Sequence, residues 1–281
     1  MYISIRRKTI FLIILSVTFG ILLSQVIKIY ASYDKKELPI IMYHSILRDK
    51  NYTGKYVVTP ESLEEDIKYL KEKGYKSVLP SDLVEYAKGN KDLPEKPYMI
   101  TLDDGSYNNL TYLLPILEKY DECALINIVG KYTESFSDSG DTNPQYSYLK
   151  WEDIDTLINS GRIEIGNHSY NFHSQDKRNG AKINKKEDID LYKRMFFADT
   201  KKTEDMLNIN NKIKPIVYAY PFGAYSVESE DVLSQMGYYI TLTCEEGINE
   251  ISDLNSLKKL KRFNRSGFLT TYEFFKKCKI L

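Results

Sequence analysis

The chain has 281 residues, of which 42% are hydrophobic and 28% are charged, a composition ordinary for a globular protein and unlike that of a disordered one. Its 39 basic and 39 acidic residues cancel, which excludes a net field that would attract nucleic acid. The length suits one α/β barrel or two small domains. Three widely spaced cysteines, Cys123, Cys244 and Cys278, include no C-x-x-C pair, so we expect neither a structural zinc centre nor a disulfide.

The first patterned segment is apolar. Basic residues at positions 6–8 precede an uncharged run over residues 9–27, which as a helix would be roughly 28 Å long, close to the thickness of a bilayer core. Residues 1–31 are therefore predicted to hold a cytoplasmic stub and a membrane anchor, or a signal peptide if the segment is cleaved. Because the positive charges come first, the rest of the chain is expected outside the cytoplasm, anchored to the cell membrane by a single pass or secreted. Residues 32–37 are predicted to form a polar linker.

Strands and helices alternate through the remaining residues, 38–281. Short apolar runs predict strands, and apolar residues at helical spacing predict the helices between them. The alternation indicates an α/β fold with a parallel sheet of seven or eight strands, closed or nearly closed into a barrel. A polar stretch over residues 131–148 is predicted to be a long loop. The predicted strands cover residues 38–43, 76–79, 97–102, 124–129, 162–165, 213–219, 238–243 and 259–263. The predicted helices cover residues 60–74, 81–88, 108–120, 151–160, 185–207, 228–236 and 271–278.

The stretch Y-M-I-T-L-D-D-G is the most informative one in the chain, because a buried strand ends in two adjacent carboxylates, Asp103 and Asp104. The carboxyl ends of parallel strands converge on one face of a barrel, where catalytic residues are found. His44, His168 and Tyr220 also follow predicted strands. We therefore expect these side chains to meet in one cleft.

The histidine pair indicates a metal site. His168 and His173 are five residues apart, which on a helix would place them about 140° apart around the axis, so the pair suits a loop. Two imidazoles and one carboxylate leave an open position for water, the usual form of catalytic zinc. Metal-assisted hydrolysis also needs an unligated carboxylate to take a proton from the attacking water, and adjacent aspartates can fill both roles. Each motif alone also fits an ordinary turn or chance surface histidines, so the prediction depends on their combination.

Three motifs together resemble the polysaccharide deacetylases, the NodB-homology or carbohydrate esterase 4 family. They are T-L-D-D-G at 101–105, G-N-H-S-Y-N-F-H at 166–173 and Y-P-F-G at 220–223. The resemblance runs in order from residue 38 to about residue 243. It implies that residues 38–281 form a distorted (β/α) barrel that removes acetyl groups from N-acetylated sugars with the help of a divalent metal. Zn²⁺ is the expected ion, and other divalent transition metals are possible.

Carried over residue by residue, the resemblance makes Asp103 the general base. It makes Asp104, His168 and His173 the metal ligands. A backbone N–H in the proline-containing motif would help to hold the oxyanion, and here it falls at Phe222. The residues of that motif are Tyr220, Pro221 and Phe222.

The sequence departs from the common pattern of the family in two ways, which concern the branch of the family and the general acid. The five-residue histidine spacing, together with an early strand that ends in Tyr43-His44, resembles the poly-N-acetylglucosamine deacetylase branch. The late motif that carries an acid histidine in other members is missing, since no histidine follows His173. His44, whose ordinary pKa is near 6.5, is the predicted proton donor in its place, although it would also suit a hydrogen-bonded strand end.

A further departure leaves the base without an assigned partner. The arginine that usually precedes the proline motif is Ala219 in this chain. Arg262 or Arg265 could approach Asp103, and the sequence does not choose between them.

Two other function classes fit parts of the pattern. Non-haem iron oxygenases also use two histidines and a carboxylate, but they would not need the second, unligated carboxylate. A membrane-anchored glycan-binding protein that kept the fold and lost activity is the alternative left open by the missing arginine. The expected partner is an acetylated envelope polysaccharide, either peptidoglycan or a poly-N-acetylglucosamine. No nucleic-acid partner is expected, and the chain is predicted to be a monomer.

Overall fold

The computed structural model describes residues 7–31, 35–176 and 178–280. The chain divides between Lys35 and Lys36 into two units. The first unit contains helix α1, Arg7–Ala31, which covers the apolar run. Within the described residues, no helix combines the length and the apolar character needed to cross a membrane. The first half of the expected linker, residues 32–34, lies outside the described residues, and its end already belongs to strand β1.

The second unit alternates strands and helices, as predicted. Its helices are α2 (Pro60–Glu72), α3 (Pro80–Ala87), α4 (Leu114–Tyr120), α5 (Gly130–Ser139), α6 (Trp151–Asn159), α7 (Ile189–Asn211), α8 (Val227–Met236) and α9 (Thr271–Lys277). Its strands are β1 (Lys36–Leu38), β2 (Ile40–Tyr43), β3 (Ser45–Ile46), β4 (Val57–Val58), β5 (Lys76–Ser77), β6 (Pro97–Leu102), β7 (Ala124–Ile128), β8 (Ile163–Asn167), β9 (Val217–Ala219), β10 (Ile240–Leu242), β11 (Asn249–Ile251) and β12 (Phe263–Asn264). A π-helical turn, Asn109–Leu113, leads into α4, and 3₁₀ turns cover Lys50–Tyr52, Pro221–Gly223 and Leu254–Leu257.

The principal sheet is parallel and has the order β10-β9-β8-β7-β6-β2-β12, with β5 paired to the start of β6. A parallel bridge between Leu242 and Leu260 links the β10 edge to the segment that leads into β12. The sheet is thereby curled into the expected distorted barrel. Its strands all point the same way, so their carboxyl ends share one face.

Side chains of the central strands alternate between two apolar clusters, as the period of a strand requires. Ile41, Ile100 and Ile126 pack against the helices on one face. Ile40 and Leu125 belong to a second cluster on the other face. This double burial explains why the strands read as continuous apolar runs.

The predicted loop over residues 131–148 is wrong in its first half, which forms helix α5. Helix α5 buries Thr133 and places the Phe136 ring 5.4 Å from that of Tyr148. Gly140 ends it in a left-handed C-cap with φ 71°. The few apolar residues of this helix are too widely spaced for periodicity to reveal it, whereas the terminal glycine was a readable signal.

Several boundaries also differ from those expected. Pro39 interrupts the predicted strand 38–43: β1 pairs with β11 in a separate antiparallel sheet and β2 begins after it, because proline has no N–H to donate to a ladder. Helix α3 begins at Pro80, one residue before the predicted start at Ser81, and the Ser81 hydroxyl donates to Glu164. The predicted strand 213–219 is ordered as a strand only in its last three residues, those of β9.

Candidate active site

Asp103 and Asp104 directly follow β6 and both line one pocket. Successive residues of an extended strand point to opposite faces, so two adjacent side chains can share a pocket only if the backbone turns. Asp104 adopts a left-handed conformation with φ 75°, and Gly105 follows with φ 73°. A non-glycine residue in this region costs on the order of 1–3 kcal/mol, and such strain is typical of functional sites.

The carboxylate of Asp103 is held by Arg262. The two terminal nitrogens of the guanidinium donate to the two carboxylate oxygens, each at 2.8 Å. Asn127 Nδ2 donates to Oδ1, also at 2.8 Å. Gly166 leaves room for the Asn127 amide, since a Cβ there would lie 2.1 Å from Asn127 Oδ1. Of the two arginines considered from the sequence, Arg262 is therefore the partner of Asp103.

Arg265 has a different carboxylate. Its guanidinium binds Asp66 through Nε at 2.7 Å and through a terminal nitrogen at 3.1 Å. Tyr43 and Thr271 also donate to Asp66. This second buried ion pair joins α2, β2 and α9 and does not line the pocket.

Burial by itself would raise the pKa of Asp103, because it disfavours the charged carboxylate. The Arg262 guanidinium and the neighbouring histidines outweigh that effect and hold the pKa of Asp103 well below its ordinary value of 3.8. Asp103 is therefore ionised at neutral pH.

Asp104, His168 and His173 bring three potential metal ligands together, with one ligand atom from each within 4.8 Å of the others. His173 Nε2 lies 3.1 Å from Asp104 Oδ1, and His168 Nε2 lies 3.7 Å from it. His168 Nδ1 lies 2.7 Å from the carbonyl oxygen of Ala219, to which it donates. This fixes the tautomer and leaves the Nε2 lone pair facing Asp104.

The geometry suits a divalent metal ion. Asp104 Oδ1 is buried with no aligned hydrogen-bond donor among the described residues, although two imidazole nitrogens face it. His173 Nδ1 lies 3.4 Å from the Tyr132 hydroxyl, and its Nε2 faces the carboxylate. Burial, the larger effect, lowers the pKa of His168, and the negative charge of Asp103 raises it. The net pKa is lowered, which favours the neutral imidazole that binds metal. Two imidazoles and a carboxylate, with a protein partner beside the second nitrogen of each imidazole, are the donor set of a catalytic zinc site.

His44 lies at the end of β2, in the same pocket as Asp103 and Asp104. Its ring packs 4.7 Å from that of Tyr56, and its carbonyl oxygen accepts a hydrogen bond from Asn109 at 3.0 Å. Its Nδ1 is buried without a partner among the described residues. Burial lowers the pKa of His44 from 6.5, against the opposing charges of the two aspartates.

The proline-containing motif contributes only one of its three side chains to the pocket. Tyr220 is fully buried, and its hydroxyl donates to Glu230 at 2.8 Å. Pro221 is also buried, and neither residue lines the pocket. Phe222 does line it: the residue has φ 59°, and its ring lies 4.7 Å from that of His173. The motif therefore positions Phe222 rather than presenting Tyr220.

The pocket has a volume of about 630 Å³. Two residues that support it were not predicted from the sequence, Asn127 and Tyr132. Asn127 had a readable signal, since it is a polar residue inside the apolar run that forms strand β7. In the structure it is fully buried, and a buried polar side chain needs a hydrogen-bond partner. Tyr132 lies in the stretch predicted to be a loop, so its contact with His173 could not have been anticipated.

The profile of the polysaccharide deacetylase family matches residues 90–241, more than half of the chain. The chain belongs to this family.

Relatives of this chain include poly-N-acetylglucosamine deacetylases. A poly-β-1,6-N-acetyl-D-glucosamine N-deacetylase of Escherichia coli strain K12 is 25% identical over 222 residues, covering 72% of this chain and 33% of that protein. The chain thus spans about one third of the length of that relative. The solved structure of IcaB from Ammonifex degensii has a TM-score of 0.71 at 20% identity, over 87% of this chain and 97% of that one. The deacetylase PplD of Streptococcus pyogenes, solved with acetate, has a TM-score of 0.70 at 21% identity, over 86% and 98%.

The profile confirms the family that the motifs resembled, and the similarity to the Escherichia coli deacetylase agrees with the branch. The structural likeness also agrees with the distorted barrel. The alternative of an inactive glycan-binding protein rested on the missing arginine at Ala219, and Arg262 supplies that guanidinium from another part of the chain.

Proposed function

We propose that this chain is a metal-dependent hydrolase that removes N-acetyl groups from N-acetylglucosamine units of a cell-envelope polysaccharide and releases acetate. The observation that carries the proposal is the pairing, in one pocket, of an arginine-held carboxylate, Asp103, with a three-ligand set. Family membership and the similarity to poly-N-acetylglucosamine deacetylases support it. The ligands of the set are Asp104, His168 and His173.

Zn²⁺ is the ion that the donor set favours. When bound, it would supply a Lewis acid for the amide carbonyl and lower the pKa of the attacking water. The tautomer of His168 is already arranged for this role, since its Nδ1 donates to the Ala219 carbonyl. The Tyr132 hydroxyl beside His173 Nδ1 can accept a hydrogen bond from it when Nε2 binds the metal.

Asp103 is suited to accept the proton of the attacking water through Oδ2. Each carboxylate oxygen has two lone pairs, and Oδ1 already receives hydrogen bonds from Arg262 and Asn127. Among the described residues, only Arg262 donates to Oδ2, which leaves one lone pair available. Arg262 thus orients the base and keeps it ionised, at the cost of lowering its basicity.

Two further groups complete the reaction. The backbone N–H of Phe222, at the left-handed turn, is the proposed donor to the oxyanion that forms when water adds to the carbonyl carbon. His44 is the proposed donor of a proton to the amine as the C–N bond breaks and acetate leaves. Its position beside both aspartates suits this role.

The basic residues followed by an uncharged run support the further proposal that the domain works outside the cytoplasm, close to an envelope glycan. Peptidoglycan and poly-β-1,6-N-acetylglucosamine both carry the required N-acetyl groups. The similarity to the Escherichia coli deacetylase favours the second.

The test is acetate release. Purified protein is loaded with Zn²⁺ and incubated with poly-β-1,6-N-acetylglucosamine oligomers, with peptidoglycan fragments and with chitin oligomers. We expect acetate from at least one of them, and far less from Asp103→Asn protein of equal metal content. Stoichiometric metal with no acetate from any glycan would instead support a glycan-binding protein without activity.

A further inference from the structure

Two smaller cavities adjoin the catalytic pocket on one side. A middle cleft of about 220 Å³ shares His44, Tyr56 and Asp104 with the pocket. An outer cleft of about 310 Å³ shares Gln145 with the middle cleft. The three cavities therefore follow one another, from Asp104 to the surface around Arg48.

Exposed aromatic side chains line these two clefts. Tyr56 and Tyr146 border the middle cleft and are 47% and 57% exposed, and Tyr52 borders the outer cleft at 49%. In the outer cleft, the Arg48 guanidinium lies 5.1 Å from the centre of the Tyr112 ring. Aromatic faces of this kind pack against the apolar C–H faces of sugar rings while their hydroxyls stay wet.

Polar groups in the clefts are mostly neutral hydrogen-bonding ones. The middle cleft has, besides His44 and Asp104, the hydroxyls of serines and tyrosines and two side-chain amides. The outer cleft has the amides of Asn143 and Gln145 and one charge of each sign, Arg48 and Asp49. This lining suits a neutral, hydroxyl-rich chain better than a polyanion.

One buried amide holds both walls in place. Asn108 is 1% exposed, and its Nδ2 donates to Ser45 Oγ at 2.8 Å and to the carbonyl oxygen of Pro144 at 2.9 Å. Its Oδ1 accepts from the backbone N–H of Ile46 at 3.0 Å. Ser45 belongs to the wall that carries His44, and Pro144 to the wall that carries Gln145. Because the walls are fixed before binding, a ligand would not have to order them.

We propose that the outer cleft, formed around Arg48, Tyr52, Tyr112 and Gln145, is a remote sugar-binding site for the same polymer whose N-acetyl group lies at Asp104. The proposal rests on the proposed deacetylase function. The middle cleft holds the connecting sugar, so the enzyme acts on internal units of a chain at least three sugars long. The interaction is made far from the reacting bond, so it distinguishes long from short substrates.

The test compares oligomers of β-1,6-linked N-acetylglucosamine of one to six units. Wild-type kcat/KM should rise once the oligomer is long enough to reach the outer cleft. Tyr52→Ala should lower kcat/KM about tenfold on the long oligomers, equivalent to the loss of about 1.4 kcal/mol, and leave the shortest substrate unchanged. Tyr272→Ala is the matched control, since Tyr272 is 59% exposed on α9 and outside all three cavities. Equal losses at every length, or no length dependence in the wild type, would overturn the proposal.

Binding without turnover separates this inference from the proposed function. Affinity for the same oligomers is measured with Asp103→Asn protein and with Asp103→Asn/Tyr52→Ala protein. If wild-type protein releases no acetate but affinity rises with length and falls with the Tyr52 change, the function is wrong and the outer cleft is supported. If acetate is released but neither affinity nor kcat/KM depends on length or on Tyr52, the function is supported and the outer cleft is wrong.

Discussion

Arg262 and Asp103, 159 residues apart in the chain, form a buried ion pair in which each terminal guanidinium nitrogen donates to one carboxylate oxygen. The two side chains are 0% and 2% exposed. Breaking such a pair leaves an uncompensated buried charge, which typically costs about 3–5 kcal/mol of stability. Replacing Arg262 with methionine should therefore destabilise the fold and also disorient the base.

We expect Arg262→Met to lower kcat about 10²–10⁴-fold, the usual contribution of a positioned general base. Arg262→Lys, which keeps the charge but not the two-pronged geometry, should fall between this variant and the wild type. Arg265→Met is the matched control, because it breaks the other buried pair, with Asp66. The Arg265→Met protein that remains folded should release acetate at close to the wild-type rate. Urea unfolding with steady-state acetate release measures both effects, and an unimpaired Arg262→Met enzyme would contradict the role given to Arg262.

Metal content and turnover should separate when the two adjacent aspartates are changed. Asp104→Ala or His173→Ala should remove both metal and activity, because each residue supplies one of three protein ligands. Asp103→Asn should bind metal normally and lose most turnover. Inductively coupled plasma spectrometry with acetate assays measures this, and Glu246→Gln, another pocket carboxylate outside the ligand set, is the control. A metal-free Asp103→Asn protein would argue against the division of roles.

The pH dependence of kcat should identify the general acid. If protonated His44 delivers the proton, kcat falls as pH rises through the pKa of His44 in the substrate complex. Burial lowers the pKa of His44, so this alkaline limb is expected below about pH 6.5. His44→Ala should abolish the limb and lower kcat about 10²–10⁴-fold. Persistence of the limb in that variant would place the acid elsewhere.

Asp199 should make stability depend on pH. Its carboxylate accepts from the backbone N–H groups of Tyr170 and Asn171, both at 2.8 Å, in the loop between His168 and His173. Burial raises the pKa of Asp199 from 3.8 to about 6. The folded state thus binds a proton more tightly than the unfolded chain. The stabilisation is full below about pH 3.8, and it is lost as pH rises towards 6.

At about 1.36 kcal/mol per pKa unit, the loss amounts to up to about 3 kcal/mol. Asp199→Asn removes this titration. The free energy of unfolding of the variant relative to wild type should therefore improve between pH 4 and pH 7. Urea unfolding of protein from which metal has been removed with a chelator measures this relative stability. Asp205→Asn, at an exposed aspartate of the same helix, is the control. A relative stability that stays constant over this range would be inconsistent with a raised pKa of Asp199.

The sequence predicted the residues that carry local signals. Asp103 and Asp104 end an apolar run, and the histidines lie in a glycine-led segment after a strand, so strand ends were enough to bring them together. The partner of Asp103 could not be chosen, because Arg262 and Arg265 lie three residues apart, on either side of the two-residue strand β12, and differ only in which carboxylate the tertiary fold brings to them. Helix α5 was missed because its stabilising contacts are tertiary. Phe136 and Tyr132 both pack on Tyr148, a residue beyond the helix.

The bridge between Leu242 and Leu260 has a consequence for the order of events during synthesis. Arg262 lies two residues after that bridge, and its Nε donates to the carbonyl of Thr243 at the end of β10. Closing the sheet and delivering the guanidinium to Asp103 are therefore one step. Strands β2 to β10, with the ligand set, leave the ribosome before that step can occur. The nascent chain can thus assemble the proposed metal ligands early, but the proposed base is oriented only once the segment that seals the barrel has docked.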